Sequence, residues 1–210
     1  MSHRIREAMK AGSFEKMTGT VESDETYIGG LEKNKHEHKK LKAGRGGVGK
    51  AIVQGVIERG QGNRKSRVSA KVVKSTDAKT LQGNIKDLVE TGTAVYTDAH
   101  KGYTGLNEAF VHDFIDHAVN YAEGAVHTNS TENFWSLLKR GLKGTYVAVS
   151  PIHLERFVDE QAYRFNERGY TDGERFFKVL AQVVGRRLTW FQLTDGSRED
   201  FWWGLGASPY

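Results

Sequence analysis

The stretch that decides the fold is His127-Thr-Asn-Ser-Thr-Glu132-Asn-Phe-Trp-Ser-Leu-Leu-Lys139-Arg-Gly-Leu142. Its polar start offers good N-cap residues and its apolar residues recur at helical spacing, which predicts an amphipathic helix. Glu132, Ser136 and Lys139 lie at i, i+4 and i+7, so they share the polar face of that helix. An acid at the start of a helix with a cation two turns later suits a metal-bound phosphate, although a solvated Glu/Lys pair has the same pattern.

Two upstream stretches have β-type patterns and carry acids. They read Thr20-Val-Glu-Ser-Asp24-Glu-Thr-Tyr-Ile-Gly-Gly30 and Thr93-Ala-Val-Tyr-Thr-Asp98-Ala-His-Lys-Gly-Tyr103. Strands that carry aspartates, with a glutamate on a later helix, can hold divalent cations through oxygen ligands. Glu22 and Glu25 compete with Asp24 for the first ligand position. Alternation along the strand should place Glu22 and Asp24 on one face and Glu25 on the other.

Together these three stretches resemble the catalytic domain of bacterial insertion-sequence transposases of the DDE type, in the ISXO-two-like group. The resemblance extends from Thr18 to Thr194. It implies a catalytic and metal-binding triad of Asp24, Asp98 and Glu132. It also implies Mg²⁺ as the cofactor, with Mn²⁺ as a substitute, and metal-dependent cleavage and strand transfer of transposon DNA.

Other residues near the three motifs have candidate supporting roles. On the Glu132 helix, Lys139 and Arg140 would contact the DNA backbone and orient it. Because some members of the group carry asparagine at the third acidic position, an asparagine near Glu132 is included among the neighbours of the triad. These neighbours are Glu25, His100, Lys101, His127 and Asn129.

Hydrophobic periodicity predicts the element order strand, strand, strand, helix, strand, helix, strand, helix. Residues 51–58 and 67–74 should form a hairpin, and a residue within 75–77 should cap a helix that runs to Val89. A short helical piece near 105–110 and a strand near 113–117 follow the Asp98 strand. This is an α/β pattern with a mixed sheet. The resemblance specifies it as a ribonuclease-H-like fold, a mixed five-stranded sheet flanked by helices, with extra C-terminal helices.

Two of those C-terminal helices are predicted near 150–168 and 172–188, the first with Ser150 as cap and Pro151 in its first turn. Their aromatic residues are expected in the core. Five arginines there are candidates for a DNA-facing surface: Arg156, Arg164, Arg168, Arg186 and Arg187. The resemblance implies a remnant of an end-binding region or linker at 1–17, the catalytic domain at 18–194 and a tail at 195–210.

The composition excludes several classes of protein. The chain has 210 residues, 38% hydrophobic and 27% charged, and no cysteine, so disulfides and thiolate metal sites are excluded. No apolar run approaches the ~20 residues that cross a bilayer. The start of the chain is too polar for a signal peptide. We therefore expect no membrane partner and a cytoplasmic location. The resemblance implies that this is the bacterial cytoplasm, with nucleoid association when the protein is active.

The positive charge is concentrated in residues 31–50, which contain seven basic and two acidic residues, while the whole chain carries +5. Such a segment predicts a polyanion partner.

Residues 44–51 nearly match a P-loop, but Ala51 replaces the required Ser or Thr, so no nucleotide cofactor is expected. His36-Glu37-His38 is rejected as a metal site because lysines surround it. The predicted DNA contacts in this segment are Lys39, Lys40, Lys42, Arg45 and Lys50.

Three functions remain open from the sequence. The leading one is a transposase that binds transposon ends and target DNA, as a homodimer or higher oligomer in the active complex. The second is an inactive or truncated remnant that binds DNA without cutting it. The third is a ribonuclease-H-like nuclease that cleaves without strand transfer.

Overall fold

A five-stranded sheet forms the centre of the molecule, with the strand order β3-β2-β1-β4-β5. The computed structural model describes residues 2–10, 12, 15–30, 47, 49–115, 128–146 and 149–194. The strands are β1 (Thr20–Ile28), β2 (Ala51–Glu58), β3 (Arg67–Val73), β4 (Ala94–Asp98) and β5 (Val111–Ile115).

Helices lie on both faces of this sheet. In the described ranges the α-helices are α1 (Ser2–Met9), α2 (Ala78–Leu88), α3 (Asn129–Arg140), α4 (Leu154–Asn166), α5 (Asp172–Ala181) and α6 (Trp190–Leu193). Short 3-10 helices occur at Lys101–Tyr103, Leu106–Glu108 and Pro151–His153, and a π-helical turn at Gly141–Thr145. None of the helices in the described part of the chain is long and apolar enough to span a bilayer.

The strand pairing makes the sheet mixed. β1, β2 and β3 pair antiparallel, whereas β4 lies parallel to β1 and β5 lies parallel to β4. The predicted hairpin, the predicted element order and the mixed five-stranded sheet flanked by helices are therefore confirmed. β5 begins two residues earlier than the predicted 113–117, because its register with β4 starts at the pair Ala94 and Val111. Val111 is exposed on this edge strand, so burial gives no pattern that would mark the start of the strand.

Strand alternation divides the core into two clusters. On one face of β2, Val53 and Ile57 pack with Phe134 of α3 and Phe157 of α4. On the opposite face, Val56 packs in a cluster with Leu81 and Ile85 of α2, and Val21 of β1 joins them. α2 and α3 therefore cover opposite faces of the sheet. At the start of α2, Asp77 is the cap, since its Oδ1 accepts the Thr80 N–H at 2.8 Å.

The C-terminal helices differ from the prediction in two ways. α4 is buried as expected, but α5 ends at Ala181, and none of its residues is buried. Phe176 and Phe177 are 62% and 68% exposed, so the expectation that α5 contributes core aromatics is wrong. The physical reason is that α3 and α4 already cover this sheet face. Polar contacts hold α5 instead, including the Tyr163 hydroxyl, which donates to the Arg175 carbonyl at 2.9 Å.

The arginines of these helices mostly bond within the protein. Arg156 is 5% exposed, which contradicts its assignment to a DNA-facing surface. Arg164 pairs with Glu160, and Arg186 donates to the Glu7 carbonyl of α1. Arg168 likewise donates to the Ser66 carbonyl.

Candidate metal centre

Two acids meet because β1 and β4 are parallel neighbours. Their register pairs Glu22 with Tyr96, so Asp24 and Asp98 lie side by side, each two residues further along its strand. Carboxylate oxygens of Asp24, Glu25 and Asp98 all lie within 4.8 Å of one another, and all three residues are half-buried. Three hard oxygen donors at this spacing fit a divalent cation such as Mg²⁺.

Glu25 enters this group from the other face of β1. Tyr103 donates its hydroxyl proton to Glu25, and the same hydroxyl lies 3.2 Å from the Ser23 hydroxyl. The predicted alternation is thus confirmed: Ser23 and Glu25 contact Tyr103, while Asp24 contacts α3. Glu25 is nevertheless part of the acidic group. Tyr103 is 1% exposed, so it lies in the core.

The acids destabilise one another electrostatically. Burial raises the pKa of Asp24 to about 6, against a lowering bond from Trp135, and the charges of Asp98 and Glu132 raise it further. Burial also raises the pKa of Glu25 to about 8, and the charges of Asp98 and Asp24 add to that effect. Partly buried carboxylates that repel each other are the electrostatic condition that a divalent cation relieves. The residues present therefore fit a metal.

Glu132 lies near the acidic group of Asp24, Glu25 and Asp98 but does not belong to it. It is exposed in the first turn of α3, and its charge reaches Asp24. Its oxygens are not among the mutually close ligand atoms found in the described ranges. The structure therefore brings Asp24 and Asp98 together, with Glu132 as a neighbour on a separate element.

Backbone and indole N–H groups orient the two aspartates. The backbone N–H of His100 donates to Asp98 Oδ1 at 3.1 Å, and His100 Nδ1 accepts the Gly102 N–H at 3.0 Å. Trp135 Nε1 donates to Asp24 Oδ2 at 2.9 Å, while its ring is 4% exposed in the core. The apolar periodicity of this helix is consistent with a core Trp135 but gave no indication of its bond to Asp24. The available signal was that a buried indole N–H needs an acceptor.

Glu22, the alternative first ligand, lies on the same face of β1 as Asp24, but its carboxylate bonds to other partners. It is fully buried and accepts hydrogen bonds from Arg59 and from the start of α3. Because its oxygens are buried and already accept these bonds, the structure does not support Glu22 as the first metal ligand.

The remaining predicted site residues are distributed as follows. Lys139 and Arg140 are exposed on α3, Asn129 is exposed at its start, and Lys101 is exposed after β4. Lys50 is half-buried just before β2. Several predictions lie outside the described residues: His127, Lys39, Lys40, Lys42, Arg45, the His36-Glu37-His38 triplet and half of the near P-loop.

Comparison with known proteins identifies one family. The sequence model of the family described as "ISXO2-like transposase domain" matches residues 16–166. No curated protein matches the chain. The matched range contains every strand of the sheet and runs to the end of α4, so it includes Asp24, Asp98 and Glu132.

Proposed function

The chain belongs to the family of ISXO2-like transposase domains, and from that premise we propose that it cleaves DNA at transposon ends and joins those ends to target DNA with the help of a divalent metal. The observation that carries this proposal is the acidic group of Asp24, Glu25 and Asp98, whose oxygens lie within 4.8 Å of one another. Family membership makes it a transposase domain of an insertion sequence. The reaction and its catalytic residues are the proposed part.

The residues proposed to hold the metal are Asp24 and Asp98, with Glu132 joining from α3. Mg²⁺ is the proposed ion and Mn²⁺ its substitute, because all the donors are carboxylate oxygens. When bound, the metal would neutralise charge on the attacking and leaving oxygens of an in-line displacement at phosphorus. Asp24 interacts with both Asp98 and Glu132, so it is the carboxylate best situated to be shared.

The protein's own groups orient this site and the DNA. Trp135 holds Asp24 through Oδ2 at 2.9 Å, and the His100 N–H holds Asp98 through Oδ1 at 3.1 Å. Lys139 lies seven residues after Glu132, about two helical turns along the same face. With Arg140 it would contact backbone phosphates and position the scissile strand.

The proposed partners and location follow from the same premise. We propose contacts between DNA and the basic residues Lys39, Lys40, Lys42, Arg45 and Lys50, a dimer or larger complex that holds two DNA ends, and action in the cytoplasm. The division of the chain at residues 17 and 194 is also proposed. Light scattering with and without end DNA measures the size of the complex.

Metal titration tests the site directly. Mn²⁺ binding to the full chain is measured by calorimetry for the wild type, Asp98→Asn and Asp113→Asn. Asp113 is the matched control, since it is an exposed aspartate on the neighbouring strand β5. We expect Asp98→Asn to raise the dissociation constant at least ~10-fold, because a first ligand is removed, and Asp113→Asn to leave it unchanged. Equal affinity in both variants would contradict the metal site.

A strand-transfer assay then tests the reaction. Labelled transposon-end DNA and a target plasmid are incubated with the full chain and Mn²⁺. Joined products support a transposase, cleavage without joining supports the nuclease alternative, and binding without cleavage supports the DNA-binding remnant.

A further inference from the structure

The fully buried carboxylate of Glu22 joins strand β1 to helix α3. Its side chain is 0% exposed. Oε2 accepts the backbone N–H groups of Ser130 and Thr131 at 2.8 and 3.1 Å. Oε1 accepts the Ser130 hydroxyl at 2.8 Å and Arg59 Nε at 2.5 Å. One side chain thus ties β1 to the first turn of α3 and to the residue that follows β2.

These bonds replace the local cap that α3 lacks. The N-cap position is Thr128, which makes no side-chain capping bond. The first N–H groups of a helix have no acceptor within the helix, and they carry a partial positive charge. Glu22 supplies both an acceptor and a negative charge from 108 residues earlier in the chain. The start of α3 is therefore fixed by a strand rather than by its own sequence.

The position of this link matters for the acidic group. Glu22 and Asp24 lie on the same face of β1, and Glu132 directly follows Thr131. One turn further, Trp135 donates to Asp24 at 2.9 Å. α3 is thus bonded to β1 on both sides of Glu132, by Glu22 before it and by Asp24 after it. Two such bonds fix both the rotation and the height of Glu132 above β1.

We infer that Glu22 is a positioning residue that sets where Glu132 stands relative to Asp24 and Asp98, an inference that rests on the proposed function. A buried ion pair is weak evidence for stability, because apolar residues of similar volume often stabilise a core as well or better. What a buried carboxylate with four donors provides is one defined geometry. A catalytic group misplaced by about 1 Å can cost ~100-fold in rate, so this geometry has a functional consequence.

Glu58 is a matched control for the purely structural role of such a residue. It is 9% exposed, it pairs with Arg67 Nε at 2.5 Å, and it accepts the Thr18 N–H at 2.7 Å. It lies at the end of β2, opposite Val21 in the antiparallel register. Glu58 therefore has the same residue type, a similar arginine partner and similar burial. Its bonds go to Thr18 and Arg67 instead of α3.

The test compares Glu22→Gln with Glu58→Gln in the full chain. Glu22→Gln replaces one carboxylate oxygen by an NH₂ group. The hydrogens of that group then face the N–H and O–H groups that donate to Glu22 in the wild type. We expect amide exchange in the first turn of α3 to become ~10-fold faster for Glu22→Gln only, as one capping interaction is lost. In Mn²⁺-dependent plasmid cleavage we expect kcat to fall at least ~10-fold, with KM for DNA within ~3-fold of the wild type. Glu58→Gln should keep both values near the wild type.

A milder variant guards against misfolding. Ser130→Ala removes only the hydroxyl bond to Glu22, and it should shift exchange and kcat in the same direction by a smaller factor. Equal exchange and equal kcat in Glu22→Gln and Glu58→Gln would overturn the inference. Wild-type protein that neither binds Mn²⁺ nor cuts DNA would instead overturn the proposed function, and the exchange comparison would still decide whether Glu22 fixes α3.

Discussion

At the scale of single residues, Trp135 connects the core to the acidic group. Its indole N–H bonds to Asp24, and its ring lies directly over Gly55 of β2. A Cβ at position 55 would lie 2.7 Å from Trp135 Cη2, which is closer than atoms in a packed core come. The absence of a side chain at Gly55 therefore allows the indole to reach Asp24.

Gly55→Ala tests this contact. We expect a loss of about 1–3 kcal/mol in the free energy of unfolding, because the methyl group overpacks the core and displaces the ring. Chemical denaturation measures it. The control is Gly83→Ala in the middle of α2, where an added Cβ meets nothing within 4 Å. That variant should gain ~0.5–1 kcal/mol, as alanine favours a helix over glycine. Equal effects at both positions would contradict the close packing.

At the scale of elements, the contact between α1 and α4 contains an acid in an unfavourable setting. Arg6 of α1 pairs with Glu160 of α4 at 2.7 Å, and both side chains are buried. Nearby on α4, burial raises the pKa of Asp159 from its ordinary value of 3.8 to about 7, and the charges of Glu155 and Glu7 add to the effect. Between about pH 4 and pH 7, Asp159 therefore keeps a proton in the folded state that it releases in the unfolded chain.

This proton makes stability depend on pH. Since the folded pKa lies above the unfolded one, stability should fall as the pH rises from about 4 to about 7. Asp159→Asn removes that loss, so we expect it to stabilise the protein by about 1–3 kcal/mol at pH 8 and little at pH 4. Thermal unfolding at both pH values measures the difference. Asp87→Asn, at an exposed position on α2, is the control. If Asp159→Asn stabilised the protein equally at both pH values, the raised pKa of Asp159 would be refuted.

Features of the elements that depend on neighbouring residues could be predicted from the sequence, and features that depend on distant residues could not. Alternation predicted β2 and the opposite faces of Asp24 and Glu25, because period-two patterns depend only on neighbours along the chain. The cap of α2 was likewise local, at Asp77. The cap of α3 was not, since Glu22 lies 108 residues away. The exposure of Phe176 could not be predicted either, because helical periodicity defines an apolar face without naming the surface that covers it.

At the scale of the whole molecule, the two faces of the sheet are covered by different helices. α2 covers one face, whereas α3 covers the other and presents Glu132, Lys139 and Arg140 to the exterior. Membership of a transposase family implies DNA as the partner. The face with α3 is therefore the one that should meet the phosphate backbone.

The salt dependence of DNA binding tests this orientation. We expect Lys139→Gln to weaken binding equally for different sequences and to reduce the slope of log affinity against log salt by ~1, as one phosphate contact is lost. Lys86→Gln is the control, because Lys86 is exposed on α2, across the sheet. Fluorescence anisotropy at several salt concentrations measures both slopes. A change in the Lys86 slope alone would place the DNA on the opposite face.

The bond between Glu22 and α3 also determines when, during synthesis, the acidic group and α3 can come together. Its two partners are separated by 108 residues, and a ribosome that adds about 5–20 residues per second needs roughly 5–20 s to make that length. During this interval the strand with Asp24 already exists, while Glu22 has no helix to hold. If Glu132 completes the site as proposed, a nascent chain carries Asp24 for several seconds before α3 (Asn129–Arg140) exists, so DNA cutting must await the synthesis of α3.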